Sequence, residues 1–236
     1  MIYIQSDNNK IIPHHFDAAS AMYGAIETEQ KYKLVTFDEV QSGKFNSLIK
    51  SNLFVGSVEF MKEVFSKIGK ENVRVPENSN REFKIMTLKE AKIIARSGQS
   101  VFIKPFDIKL FTGFILDQMV HKSISNIPDD TMVMVYDVFK SAIKSEFRCY
   151  IHRNNIIDIK IYSGDFFSSL NEEYLNKIIN INKHRFPVAY VIDIGVLESG
   201  ENVVIEYNDM WAIGNYGMPN DLYLRLLKDR YFEIVK

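Results

Sequence analysis

The stretch from Ala189 to Gly217, AYVIDIGVLESGENVVIEYNDMWAIGNYG, most constrains what this chain can fold into. Two apolar runs, residues 189–194 and 202–207, flank Ser199-Gly200. Val and Ile suit a pleated surface, and glycine tolerates the positive φ of a tight turn, so the spacing predicts strand–turn–strand. With Ser199-Gly200 as a two-residue loop, Glu198 stands opposite Glu201 and, counting outward, Asp193 stands opposite Glu206. Asn208 shares the face of Glu206, because side chains alternate along a strand. Two carboxylates and an amide therefore converge among hydrophobic neighbours. Like charges about 4 Å apart repel by ~1 kcal/mol in bulk water and ~4 kcal/mol at an effective dielectric of about 20. A hard divalent cation such as Mg²⁺, held together with phosphates, removes that conflict. Two solvent-facing acids on an edge hairpin avoid it equally, so the hairpin alone leaves both readings open.

At 236 residues the chain is long enough for one large domain or two small ones. With 46% hydrophobic and 25% charged residues it has the composition of an ordinary folded protein. A formal net charge of -1 supplies no drive toward nucleic acid or an anionic membrane, and neither partner is expected. Cys149 stands alone, which excludes an intramolecular disulfide and makes a reducing cytoplasm the default. No basic-then-apolar leader pattern opens the sequence, and no apolar run approaches the roughly 20 residues that span a bilayer. The histidines lack metal-ligand spacing, so a zinc site is not expected.

Residues 1–5 predict a first strand, and Phe16, Ala19, Met22 and Tyr23 recur at helical spacing. Residues 52–56, NLFVG, read as a buried strand. Ser57 can cap a helix whose Phe60, Met61, Val64, Phe65 and Ile68 form one stripe, with Gly69 as the stop. Strand, glycine turn, helix is an α/β signature in a small N-terminal lobe. This turn lacks the further glycines and the lysine of a phosphate loop. Residues 76–80, PENSN, read as a linker. Thr87 and Glu90 then form a capping-box pattern for a helix running to Gly98. In VFIKP, residues 101–105, Lys104 sits in an apolar strand, where it must pair with a carboxylate or face an anionic ligand.

Residues 132–138, MVMVYDV, read as another buried strand. EFRCYIH then alternates, with Glu146, Arg148, Tyr150 and His152 on one face and Phe147, Cys149 and Ile151 on the other. The second face is core, so Cys149 reads as a small buried hydrophobe; the first is exposed or lines a site. A turn at residues 153–155 returns the chain antiparallel through Tyr162. Residues 172–181 predict a helix with Tyr174, Leu175, Ile178 and Ile179 inward, and a last helix starts near Asp221 and carries Arg230.

Taken in order, Lys104 in FIKP, Glu146 and Arg148 in SEFRCYI, Asp193 in VIDIG, and Glu206 with Asn208 in VIEYND resemble the ATP-grasp superfamily. The pattern is most similar to the clade named for two arginines and a lysine, found in bacterial and phage genomes. Its members share a KP…K stretch, an E-x-R strand, a D-x-G strand and an E-x-N followed by W and YG, here Trp211, Tyr216 and Gly217. The resemblance covers roughly residues 102–230. It implies an α+β fold with an α/β N-terminal lobe, in which two α+β subdomains clasp a nucleotide between antiparallel sheets. Residues 1–75 would form the small pre-grasp region and residues 81–236 the ATP-grasp domain. That domain would comprise a nucleotide-binding part, about 81–137, and a metal-binding, catalytic part, about 138–236.

By the same resemblance, ATP and Mg²⁺ are the expected cofactors. Lys104 would contact phosphates, and Asp137, Val138 and Phe139 would form a hinge beside adenine. Asp193, Glu206 and Asn208 would bind Mg²⁺. Arg148 would face the transferring phosphoryl group or a substrate carboxylate. Glu146 would hold Arg148 or a ribose hydroxyl, with Lys109 and Arg230 as further substrate or phosphate contacts. The first lysine of such sites has no evident equivalent, Lys84 and Lys89 being the residues available for it. Trp211 and Tyr216 are expected as packing behind the hairpin. The implied activity is ligation of a small-molecule or peptide carboxylate to an amine through an acyl phosphate. A kinase-like transfer, or nucleotide binding without turnover, would use the same residues.

Overall fold

The computed structural model describes residues 1–7, 13–76, 82–106, 110–119 and 122–236. The chain divides into two compact units, one formed by Met1–Asn78 with Ile143–Lys236 and the other by Ser79–Ala142. Most of the stretch expected as a linker, residues 77–80, lies outside the described residues.

The first unit opens with β1 (Ile2–Gln5), α1 (Phe16–Glu27), β2 (Tyr32–Val35), α2 (Phe37–Gln41), β3 (Leu53–Val55) and α3 (Val58–Ser66). The three strands form a parallel sheet in the order β2-β1-β3. Ser57 Oγ accepts from the Phe60 amide at 3.2 Å, and Phe60, Met61, Val64 and Phe65 are the buried stripe of α3. The helix of residues 16–27 is present, but its buried side is Ala18, Ala21, Gly24 and Ala25, while Phe16 and Tyr23 face solvent. The reason is close helix packing. A Cβ on Gly24 would stand 2.3 Å from the carbonyl oxygen of Asn220, at the start of the C-terminal helix. Only a stripe of small residues permits that approach.

The second unit holds β4 (Phe83–Thr87), α4 (Leu88–Arg96), β5 (Val101–Pro105), β6 (Phe114–Leu116) and β7 (Met132–Asp137). Its sheet is antiparallel, in the order β4-β7-β5-β6. Thr87 and Glu90 make the reciprocal capping box of α4. Leu88, Ala91 and Ala95 of that helix cover Val101, Ile103, Leu116, Val133 and Val135. By alternation, the opposite face of the sheet carries Phe83, Ile85, Phe102, Lys104, Met134 and Tyr136.

The chain then returns to the first unit with β8 (Ile143–His152), β9 (Asn155–Gly164), α5 (Glu172–Asn182), β10 (Ala189–Leu197), β11 (Asn202–Asp209) and α6 (Asn220–Val235). Four antiparallel strands run in the order β11-β10-β8-β9. Phe147, Cys149, Ile151, Tyr190, Ile192 and Ile194 form one face, closed by Leu175, Ile178 and Ile179 of α5. On the other face Tyr150, Ala189 and Val191 join a core shared with β1, β3, α1, α3 and α6. The N-terminal region is thus sealed to the C-terminal part by one apolar core. Among the described residues no helix is long and apolar enough to cross a membrane.

Two outcomes follow from this packing. Gly24→Ala gains helix propensity but drives a methyl into backbone, so urea titration is expected to show a net loss of about 1–3 kcal/mol. His15 caps α1, its Nδ1 accepting from the amides of Asp17 (3.2 Å) and Ala18 (3.4 Å). Burial holds His15 below the ordinary histidine range, against the pull of Asp17. A lowered folded value means the contribution is complete above the unfolded value of about 6.5 and is lost as pH falls through the folded one. His15→Asn, which caps without titrating, is expected to flatten the fall in stability measured by denaturation between pH of about 7.5 and about 5.

Candidate functional site

One row of charged side chains crosses the four-stranded sheet, because Glu206 pairs with Asp193, Asp193 with Arg148, and Arg148 with Lys160. At its centre Arg148 makes a two-pronged ion pair, Nε to Asp193 Oδ1 at 2.9 Å and Nη2 to Asp193 Oδ2 at 2.8 Å. Arg148 is 7% exposed and Asp193 1%. Asn208 Nδ2 donates to Asp193 Oδ2 at 3.2 Å and to Glu206 Oε1 at 2.9 Å, so one amide group links both carboxylates. Burial pushes both members of the pair toward neutrality. For Asp193 burial prevails over Arg148, with Glu206 adding to it, and the carboxyl is pushed up to about 6. For Arg148 the lowering by burial is outweighed by the two bonds to Asp193, and the guanidinium is held above its ordinary value. Both Asp193 oxygens accept from Arg148, the geometry of an ion pair.

The meeting of Asp193 and Glu206 has a different origin from the one expected. The hairpin has a three-residue loop of Glu198, Ser199 and Gly200, since the Leu197 amide bonds the Glu201 carbonyl at 2.8 Å. Gly200 supplies the positive φ, +85°. In this register Ile194 pairs with Val204, and Glu206 would next fall on the apolar face of Ile192. A β-bulge between Asp193 and Ile194 inserts Ile205 and restores Asp193 opposite Glu206. Turn and bulge each shift the ladder by one residue, and the two shifts cancel. The bulge is what turns Glu206 and Asn208 to the face of Arg148.

Aromatic groups enclose the guanidinium. Arg148 Cζ lies 4.6 Å from the Tyr216 ring centroid and 5.6 Å from that of Tyr162. The two rings stack at 5.1 Å with 14° between planes. Glu146, expected to hold Arg148 or a ribose hydroxyl, accepts from the Tyr162 hydroxyl at 2.7 Å. The segment over Arg148 is pinned by Tyr150, whose hydroxyl lies 2.7 Å from the Gly214 carbonyl and 2.6 Å from that of Asn215. Asp17 of α1 accepts from the Asn215 amide at 2.8 Å. Trp211 packs edge-on to Phe65 at 5.5 Å, as expected of a core residue. Tyr216 does not follow it, being 50% exposed above Arg148. Tyr162 was missed; its signal was its place two residues beyond Lys160 on a strand returning along Arg148.

The structure does not bring Arg230 into this row. Its Nε and Nη2 bond Asp209 at 2.7 and 2.6 Å and its Nη1 bonds Glu233 at 2.8 Å, tying α6 to the end of β11. The residue expected as a substrate or phosphate contact is thus already bonded to two acids. Lys109 lies outside the described residues. In the second unit Lys104 Nζ stands 5.3 Å from the ring of Tyr136, which Phe83 and Phe102 flank at 5.5 and 6.2 Å. Lys84 belongs to the α4 side of that sheet and Lys89 to α4 itself, so Lys84 does not share the face of Lys104. Asp137 ends β7, and Val138 and Phe139 follow it in the connection to β8.

Among the described residues no group of three His, Cys, Asp or Glu side chains could hold a metal ion. Asp193, Glu206 and Asn208 offer two carboxylates and one amide oxygen, a hard and incomplete donor set. It suits a cation that takes its remaining ligands from phosphates and water, as Mg²⁺ does.

A family model for the ATP-grasp domain, family 2 of the clade named for two arginines and a lysine, matches residues 79–226. The chain belongs to this family. Solved ATP-grasp structures extend the likeness beyond the matched residues. D-alanine–D-alanine ligase from Bacillus anthracis superposes with a TM-score of 0.54 at 12% identity, over 99% of this chain and 97% of that one. N5-carboxyaminoimidazole synthetase from Staphylococcus aureus gives 0.57 at 10% identity, over 97% and 77%. The ATP-grasp ligase PsnB, complexed with a precursor peptide and AMPPNP, gives 0.52 at 9% identity, over 97% and 96%. No curated protein sequence matches the chain. At these identities the shared property is the ATP-grasp fold, with its α/β N-terminal lobe on a parallel sheet and its antiparallel sheets.

Within this ATP-grasp sheet the Asn208 amide group donates to both acids. Asn208→Asp replaces a shared donor with a third acceptor. Chemical denaturation at neutral pH is expected to show a loss of about 1–3 kcal/mol.

Proposed function

We propose that this ATP-grasp protein is an ADP-forming ligase that joins a carboxylate to an amine. The observation that carries the reading is the buried Arg148–Asp193 pair with Glu206 and Asn208 beside it, on the sheet of an ATP-grasp family member. Asp193, Glu206 and Asn208 would hold Mg²⁺, which would supply neutralisation of phosphate charge there. Lys104 contacts the phosphates of ATP, with Phe102 and Tyr136 as apolar surface beside it. Asp137, Val138 and Phe139 border adenine, and Lys109 is a further phosphate or substrate contact. Glu146 acts through Tyr162, to which it is bonded. Arg230 serves the fold.

Arg148 receives the transferring phosphoryl group or the substrate carboxylate, since a planar fork matches either pair of oxygens. A substrate carboxylate oxygen bonds to the γ-phosphorus, and the bond from that phosphorus to the β-bridging oxygen breaks, giving an acyl phosphate and ADP. The amine nitrogen then bonds to the acyl carbon, phosphate leaves and the amine proton passes to solvent. Positioning and charge neutralisation carry both steps, so no protein nucleophile is needed. Cys149, fully buried and with its thiol pushed up by burial, takes no part. The carboxylate belongs to a small molecule or a peptide; likeness to D-alanine–D-alanine ligase and to a peptide-bound ligase supports both classes.

Thermal denaturation with Mg·ATP tests the reading. At a hundred times the dissociation constant, binding adds about 2.7 kcal/mol, a rise in Tm of roughly 5–10 °C for a chain of this size. Asp193→Asn and Glu206→Gln are expected to lose most of that rise. No shift in the wild-type protein would remove the proposal. Sustained ADP release that depends on an added amine and yields an amide supports ligation, whereas sustained release with a carboxylate alone and a phosphorylated product marks a kinase-like transfer.

A further inference from the structure

We infer that Tyr216, stacked on Tyr162, is a positioning residue that sets the Arg148 guanidinium for the γ-phosphoryl group; this rests on the role proposed for Arg148. A guanidinium carries five N–H donors. Two of those on Arg148 go to Asp193 and a third points at the Gly214 carbonyl at 3.5 Å. One N–H on Nη1 and one on Nη2 remain without a partner among the described residues. Nη1 and Nη2 together form the end of the guanidinium, and such a fork fits two oxygens of a phosphoryl group. The ion pair fixes the guanidinium within its plane, but two bonds along one edge leave it free to tilt about that edge. An aromatic ring in contact with the group resists that tilt, and the Arg148 Cζ lies over the Tyr216 ring, 4.6 Å from its centroid.

The surroundings spend stability to keep that ring in place. Tyr216 adopts φ +45°, a left-handed conformation that costs a non-glycine residue energy. Its chain neighbours are held by the Tyr150 hydroxyl and by Asp17, and Tyr223 donates to the Ile213 carbonyl at 2.6 Å. The second ring is anchored independently, Tyr162 by Glu146. A half-exposed tyrosine gains little from burial. Its strained backbone and its bracing from α1, β8 and α6 are explained by what it does to Arg148.

Calorimetry on the full chain with Mg²⁺ tests this, comparing the affinity for AMPPNP with that for ADP. Arg148→Gln is the reference and is expected to abolish the preference for the triphosphate analogue. Tyr216→Leu should cost roughly three- to tenfold of that preference, with ADP affinity unchanged within about twofold. Tyr216→Phe, which keeps the ring, should retain it. Tyr162→Leu should act in the same direction and decides the matter should Tyr216→Leu fail to fold. If both leucine variants keep the wild-type ratio while Arg148→Gln loses it, the positioning role is wrong and the role of Arg148 stands. Equal losses in Tyr216→Phe and Tyr216→Leu would assign the effect to the hydroxyl and overturn the inference. A wild-type ratio in Arg148→Gln would overturn the role of Arg148, and that of Tyr216 with it.

Discussion

A guanidinium and a carboxylate, both out of water, face each other across the two central strands of the four-stranded sheet. The desolvation cost of such a pair can equal or exceed its Coulombic gain, and removing one partner typically costs about 3–5 kcal/mol. The pair holds here because its geometry is two-pronged and its neighbours share the load. Asn208 gives Asp193 a further donor and links it to Glu206. Aromatic faces cover the guanidinium where water would otherwise solvate it. Two apolar side chains could stabilise that place in the sheet as well, so the charges are best understood through the chemistry they permit.

The pair also explains why the N-terminal lobe is built into the same unit. Asp17, at the first turn of α1, accepts from the Asn215 amide across a sequence separation of 198 residues. Asn215 precedes Tyr216, so a residue of the lobe steadies the segment lying over Arg148. The packing of α1 on α6 through Gly24 and the apolar core shared by the two parts hold that contact in register. The lobe thus acts on the site through structure, without contributing a side chain to the charged row.

Much of the site was legible because its elements are short-range. Alternation assigned Glu146, Arg148 and Tyr150 to one face and Phe147, Cys149 and Ile151 to the other, as the strand has them. The opposition of Asp193 and Glu206 was read correctly from a turn that was not: a three-residue loop and a bulge shift the ladder in ways that cancel. Partner choice was not legible. Glu146 bonds Tyr162 rather than Arg148, and Arg230 is taken by Asp209 and Glu233. The buried face of α1 was not legible from spacing alone, because close helix contact selects its small residues.

By itself the sequence determined whatever depends on a local period or on order along the chain. Strand alternation, helix caps at Ser57 and Thr87, and the succession of Lys104, Arg148, Asp193, Glu206 and Asn208 are of this kind. A pleat repeats every second residue and a cap acts within one turn, so neither needs distant information. Only the tertiary structure decided which side chains meet. It chose Asp193 as the partner of Arg148, brought Tyr162 and Tyr216 onto that guanidinium and joined the N-terminal lobe to the C-terminal sheet. Those contacts link residues tens to hundreds of positions apart, and a few of many stereochemically possible pairs are selected by how whole elements pack. The hairpin supplied two acids and an amide; the neighbouring strand supplied the cation that lets Asp193 be buried beside the other two.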